Sequence, residues 1–269
     1  MSARTVAFLD ILGFRQMVES LSTEQLGSTF TSVVGQILPS MNRSRNHEFP
    51  KELTFFPQHS PGKSWCLNHT FSDSIILISH DNSENSSLAL LLYALRTMQT
   101  LIAFRLPVRG AVTYGEMYVD TANALFLGKA LTQAYELEQR QNWIGVAIDE
   151  SVPGAFPALL LSEIPLPGLR SSLFPKYDVP MKSGPIRSMH TLNWRWNLVA
   201  TKGTKSLFDD GNDWSAKVKI QAALSYALEM RQTGRAYPLT QNIVPVEVRP
   251  FYIADGPPTP QPPRHGDEY

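Results

Sequence analysis

The chain has 269 residues, 43% of them hydrophobic, and its 24 basic side chains are offset by 24 acidic ones. That is enough chain for one sizeable core, and zero net charge argues against duplex nucleic acid or an anionic membrane as the main partner while leaving a local phosphate site open. The lone cysteine, Cys66, excludes an internal disulfide and fits a reducing cytoplasm, and Met1–Arg4 leads into an apolar run broken at Asp10, without the pattern of a signal peptide.

Thr5–Asp10 reads as a short buried strand, Gly13 as a turn, and Phe14–Leu21 takes up helical spacing. Ser22 with Gln25 forms a capping-box start for a helix over Thr23–Leu38, which Pro39 is expected to end. Met41–Gly62, rich in Asn, Arg, Pro, Ser and His, reads as a long loop or insertion. Trp65–Phe71 and Ser74–Ser79 read as two strands with Ser72-Asp73 at the hairpin tip. After a polar start, Leu88, Leu91, Leu92, Leu95, Met98, Leu101 and Ile102 recur at helical steps. Arg96, Gln99 and Arg105 make this an amphipathic helix rather than a membrane span, and Pro107 is expected to close it.

Val108–Tyr114 and Glu116–Val119 form the next strand or hairpin, with Gly110 and Gly115 as bulge or turn points. Gly128–Arg140 then predicts a helix and Trp143–Ile148 a strand. Beyond a Pro-rich irregular region, Met189–Asn197 predicts a strand and Ala216–Gln232 a helix, and the five prolines of Gly256–Tyr269 predict a disordered tail. The order strand, helix, strand, strand, helix, strand predicts an α+β fold with a ferredoxin-like βαββαβ core. The expected organisation is one domain over residues 1–255, with core motifs in 5–148, a C-terminal elaboration over 149–255 and a tail over 256–269. No G-x-G-x-x-G or G-x-x-x-x-G-K-[ST] loop occurs, which disfavours a Rossmann or P-loop enzyme.

Two segments stand out, Phe8-Leu9-Asp10-Ile11-Leu12-Gly13-Phe14 and Phe71-Ser72-Asp73-Ser74-Ile75-Ile76, each with one aspartate inside an apolar run. Such a carboxylate is costly to desolvate without a cation or donors around it. If the two strands are neighbours, Asp10 and Asp73 could form a site for a pair of divalent metals and, through them, a nucleoside triphosphate; the alternative is that both aspartates merely cap turns or helices. Gly13 and Phe14 open a helix whose free N–H groups suit phosphate, with a plain turn as the alternative for Gly13 and core packing for Phe14. Arg109, beside Gly110 in an apolar strand, either grips the triphosphate bidentately or pairs with Glu116 or Asp120. Lys129 reads as a solvated lysine within reach of phosphate. Cys66 and His69, with His59, lack a fourth partner for zinc. Trp65, Phe55 and Phe56 line either a base pocket or the core, and Trp194 and Trp196 share one strand face at a core or dimer surface.

The two aspartate segments resemble the metal motifs of the class III nucleotidyl cyclases. Val108-Arg109-Gly110-Ala111-Val112-Thr113-Tyr114-Gly115 is similar to the strand that follows them, and Phe126–Glu138 to the next helix. Where the purine cyclases carry a helix Asn and Arg, this chain has Thr132 and Glu136, and their purine-selecting lysine falls on Leu67. The combined pattern is similar to the bacterial pyrimidine cyclases of the Pycsar anti-phage defence system. The resemblance implies conversion of UTP, or else CTP, to the cyclic monophosphate, with two Mn²⁺ or Mg²⁺ ions per site held by Asp10, Asp73 and the Ile11 carbonyl. It further implies a homodimer with active sites at the interface and a separate effector that senses the product. A silent cyclase-like nucleotide-binding module is the competing reading, kept open by Thr132 and Glu136.

Overall fold

A computed structural model describes residues 2–43, 64–157, 173–194 and 214–232. Phe55, Phe56, His59, Trp196, most of Met41–Gly62 and the tail 256–269 lie outside the described residues.

The expected core is present. Strand β1 (Ser2–Ile11), helices α1 (Phe14–Ser20), α2 (Thr23–Phe30) and α3 (Leu38–Arg43), the β2 (Leu67–Phe71) and β3 (Ser74–Ile78) hairpin, helix α4 (Glu84–Ala103) and strand β4 (Val108–Asp120) follow one another in that order. A short β5 (Leu125–Leu127), α5 (Lys129–Arg140), β6 (Gly145–Ile148), α6 (Ser151–Ala155), β7 (Lys176–Val179), β8 (Arg187–Thr191) and a C-terminal helix α7 (Trp214–Gln232) complete the described elements. The sheet runs β2-β3-β1-β4-β6-β8-β7, with β5 paired to β4. Each neighbouring pair among its first four strands is antiparallel, in the ferredoxin-like order, and β4 and β6 are parallel neighbours joined through α5.

β1 is the centre of this arrangement. Alternation sends Ala7, Leu9 and Ile11 into the main core with Ile75, Leu77 and the apolar side of α4, while Val6, Phe8 and Asp10 point to the opposite face. α5 covers part of that second face. Thr113 Oγ1 donates to Ala130 O at 2.7 Å, and the rings of Phe8 and Tyr135 meet edge to face at 5.4 Å. α4 has the length and apolarity of a membrane span, and that apolarity is spent on the core: Leu90, Leu91, Leu95, Met98, Leu101 and Ile102 are fully buried.

Several local expectations are corrected. Pro39 does not end the second helix. A π-helical stretch over Thr31–Ile37 widens the turn, with Leu38 N–H bonding Val33 O, and the helix runs on to Arg43; the wider turn accommodates a residue that lacks a donor. Gly115 is neither turn nor bulge, because β4 is one continuous strand and the actual hairpin lies beyond Asp120, whose carboxylate accepts from the N–H groups of Ala122 and Asn123. α4 stops at Ala103, before Pro107, as Arg105 adopts φ 60°. Trp194 lies past the end of β8, fully buried and stacked on Tyr226, so it is a core residue rather than one of a strand pair.

Gly110 lies against β1, and a Cβ there would sit 2.6 Å from Phe8 O and from Leu9 Cδ2. Main chain cannot yield as a side chain does, whereas a Cβ at Gly115 would meet Ala130 Cβ at an ordinary 3.6 Å. Gly110→Ala is therefore expected to cost about 2–3 kcal/mol and to lower Tm by roughly 5–10 °C, with Gly115→Ala within about 1 kcal/mol of the parent. Thermal melts of both variants check this; equal effects would contradict the packing described.

Candidate functional site

Register brings the two aspartates together. Across four strands one row reads Phe71, Ser74, Asp10, Arg109, all on the face partly covered by α5. Asp73 sits at the tip of the β2–β3 hairpin, and its carbonyl accepts from Ile11 N–H at 3.0 Å, which ties the tip to the end of β1. Leu12 N–H donates to Pro107 O at 2.8 Å on the other side. The end of β1 is thus pinned between the hairpin and β4 before Gly13, at φ 80°, turns the chain into α1. Ser72, beside Asp73, holds φ 56°, a left-handed conformation uncommon for a residue with a Cβ, so the tip that presents Asp73 is strained.

Asp10 and Asp73 are both half-buried. The Asp10 carboxyl is pushed up to about 6, first by burial and then by the negative charges of Glu138 and Asp73, with Arg109 and Lys182 pulling the other way. A carboxyl in that condition lacks full compensation. Two half-buried carboxylates on adjoining elements supply the hard oxygen donors that Mg²⁺ and Mn²⁺ prefer. Among the described residues no group of three His, Cys, Asp or Glu could hold a metal ion. Two carboxylates alone would leave most of an ion's shell to water and substrate oxygens.

The remaining expected site residues fall in distinct places. No side chain caps the start of α1, and the Phe14 ring packs edge to face on Phe30 at 5.2 Å, the core alternative. Arg109 is 4% exposed. Its partner is neither Glu116, which pairs with Lys129 at 3.1 Å, nor Asp120, which caps its own turn. Instead its Nε and one terminal nitrogen engage the carboxylate of Glu138, the other terminal nitrogen donates to Gln141 O at 3.2 Å, and the Asp10 carboxylate lies 3.9 Å away. Thr132 and Glu136 are exposed on α5; the Thr132 hydroxyl donates to Gly128 O and Glu136 pairs with Arg140. Trp65 packs on the main core, whereas Leu67 joins the small cluster of Val6, Ile78, Met117 and Ala130 on the Asp10 face.

Two site residues escaped the sequence reading. Glu138 is fully buried, and its place on the apolar stripe of α5 with Ala130, Ala134 and Leu137 was the available signal. Lys182 follows β7 and is brought in by the bridge between Met181 and Gln141 and by its own N–H bonding Arg140 O at 2.7 Å. Its ammonium is lowered from the ordinary lysine value, by burial and then by Arg109, against the opposing effect of Glu138.

No protein-family model and no curated protein matches the chain. Solved structures similar to it include an adenylyl cyclase from P. aeruginosa, with a TM-score of 0.46, 13% identity, and coverage of 71% of this chain and 94% of that one. The guanylate cyclase domain from Catenaria anguillulae in complex with GTP gives 0.45 at 14% identity, covering 71% and 96%. A monomeric double mutant of the guanylyl cyclase domain from the aquatic fungus Blastocladiella emersonii gives 0.49 at 14%, covering 71% and 94%. Likenesses at this level carry no activity from one chain to another.

The raised Asp10 carboxyl has a signed consequence for stability. With a folded value of about 6 against 3.8 for the free group, its ionisation costs nothing below pH 3.8 and costs fully above pH 6. In metal-free buffer, Asp10→Asn is expected to melt above the parent at pH 8 by about 1 kcal/mol, discounted for partial exposure, or a few degrees. The gain should shrink to near zero at pH 4. Melts in EDTA across that range check it, and a gain larger at pH 4 would contradict the assignment.

Proposed function

We propose that the chain is a cytoplasmic nucleotide cyclase that converts a pyrimidine nucleoside triphosphate, UTP in the first instance and CTP as the alternative, to its 3′,5′-cyclic monophosphate and pyrophosphate. The observation that carries the reading is the meeting of Asp10 and Asp73 at the end of β1 and the tip of the β2–β3 hairpin. It pairs two half-buried carboxylates, the Asp10 one incompletely compensated, with a sharp turn into α1, in the motif order that the sequence resemblance led us to expect.

In the reaction the ribose 3′-oxygen forms a bond to the α-phosphorus, the bond to the β-phosphate oxygen breaks, and the hydroxyl proton leaves to solvent. Asp10 and Asp73, with the Ile11 carbonyl, would hold two Mn²⁺ or Mg²⁺ ions. Bound there, such ions acidify the attacking hydroxyl and neutralise charge building on the phosphates. The protein's own part is to aim the two carboxylates from one rigid strand end and one pinned hairpin. The N–H groups at Gly13 and Phe14, uncapped by any side chain, would suit the β- and γ-phosphates, and the ammonium of Lys182 adds positive charge on the Asp10 side. Arg109, expected from the sequence to grip the triphosphate, is engaged by Glu138 and stands 3.9 Å from the Asp10 carboxylate.

The pyrimidine preference rests on the resemblance and on Leu67, an apolar side chain where a purine-reading lysine would stand. Exposed Phe71 in the Asp10 row and Tyr135 on α5, with Leu125 and Leu127 exposed on β5, support a second copy of the chain covering this face. The product would serve as a second messenger for a separate effector in anti-phage defence. A silent nucleotide-binding module is favoured over catalysis by one observation: Thr132 and Glu136 are engaged locally on α5.

The test incubates the purified protein with each of the four ribonucleoside triphosphates and Mn²⁺ beside Asp73→Ala, with products identified by mass spectrometry. Cyclic UMP or cyclic CMP is expected from the parent, with at least a 100-fold loss in the variant. A cyclic purine product would overturn the base assignment, and no cyclic product from any triphosphate would overturn catalysis. Sedimentation is expected to give a dimer.

A further inference from the structure

Arg109 poses a problem for any cation beside Asp10. Its guanidinium lies in register with Asp10 on the neighbouring strand, 3.9 Å from the carboxylate. A free guanidinium at that distance would cancel the Asp10 charge and repel a divalent metal. It is not free. Glu138, fully buried on α5, takes both the Nε and a terminal nitrogen of Arg109, while its second oxygen accepts from Gln139 Nε2 at 2.7 Å. Gln141 secures the assembly: its carbonyl accepts from Arg109, its side-chain nitrogen donates to Gly110 O at 2.9 Å, and its side-chain oxygen accepts from Trp143 at 2.6 Å.

We propose that Glu138 is a positioning residue that neutralises Arg109 and so leaves the Asp10–Asp73 pair with the net negative charge that a divalent cation requires. The proposal rests on the metal role given to those aspartates above. Asp10, Asp73 and Glu138 carry three negative charges, against which Arg109 and Lys182 set two positive ones. Removing the Glu138 charge brings the pocket to balance and frees the guanidinium to turn fully onto Asp10. The charge of Glu138 therefore matters to the metal although the carboxylate itself is committed to Arg109. Removing Arg109 together with Glu138 leaves the net charge as it was.

The test is Mn²⁺ binding without nucleotide, followed by calorimetry, on the parent, Glu138→Gln, the double variant Arg109→Met/Glu138→Met, and Glu84→Gln as an exposed control. Circular dichroism reports whether each folds. Glu138→Gln is expected to weaken Mn²⁺ binding at least tenfold, whereas the double variant stays within about threefold of the parent. Parent-like affinity in a folded Glu138→Gln overturns the proposal. If Glu138→Gln does not fold, the double variant decides: parent-like affinity supports charge neutralisation, and a tenfold loss overturns it. Parent protein that binds no Mn²⁺ while Asp73→Ala behaves identically refutes the metal reading itself, a separate failure from this one.

Discussion

A carboxylate on the central strand of the sheet is the constraint around which the rest is arranged. Asp10 stands on β1 with Ser74 on one side and Arg109 on the other, and no amount of apolar packing can satisfy it. The fold answers with geometry. The hairpin tip is hydrogen-bonded to the strand end, the entry to β4 closes on Leu12, and α5 brings a buried glutamate down onto the arginine. Breaking that buried pair from one side would cost about 3–5 kcal/mol, so the electrostatics near Asp10 and the docking of α5 are one structural commitment.

This commitment also explains why β4 must carry glycine next to arginine. Gly110 lets the β1 backbone approach while Gln141 bonds the Gly110 carbonyl. The same few residues thus set sheet spacing, hold α5 and fix the charge beside Asp10. On the other face, α4 and Ala7, Leu9 and Ile11 of β1 make an ordinary core. The two faces divide the labour, one supplying burial and the other chemistry.

Much of this was legible in the sequence where signals were local. The apolar run of β1, the capping box at Ser22 and the leucine spacing of α4 each arise within a few residues, and all three elements are present. Asp10 and Asp73 were visible because a carboxylate inside an apolar run is anomalous whatever it touches. Glu138 was hidden because Glu136, Gln139 and Arg140 around it look like a solvated face, and only the helical period separates it from them. Lys182 was out of reach, since a bridge between residues 141 and 181 is set by chain topology and by no local pattern. Pro39 and Gly115 were misread for a related reason: each marks a break by intrinsic preference, and tertiary packing overrides preference where the π-helical turn and the long pairing of β4 with β1 demand it.

The most direct measurement is a crystal structure of the protein soaked in Mn²⁺, with data collected to give the anomalous signal of the metal. The account predicts anomalous density within about 2.4 Å of carboxylate oxygens from both Asp10 and Asp73. Manganese bound elsewhere, with these two carboxylates unoccupied, would contradict it.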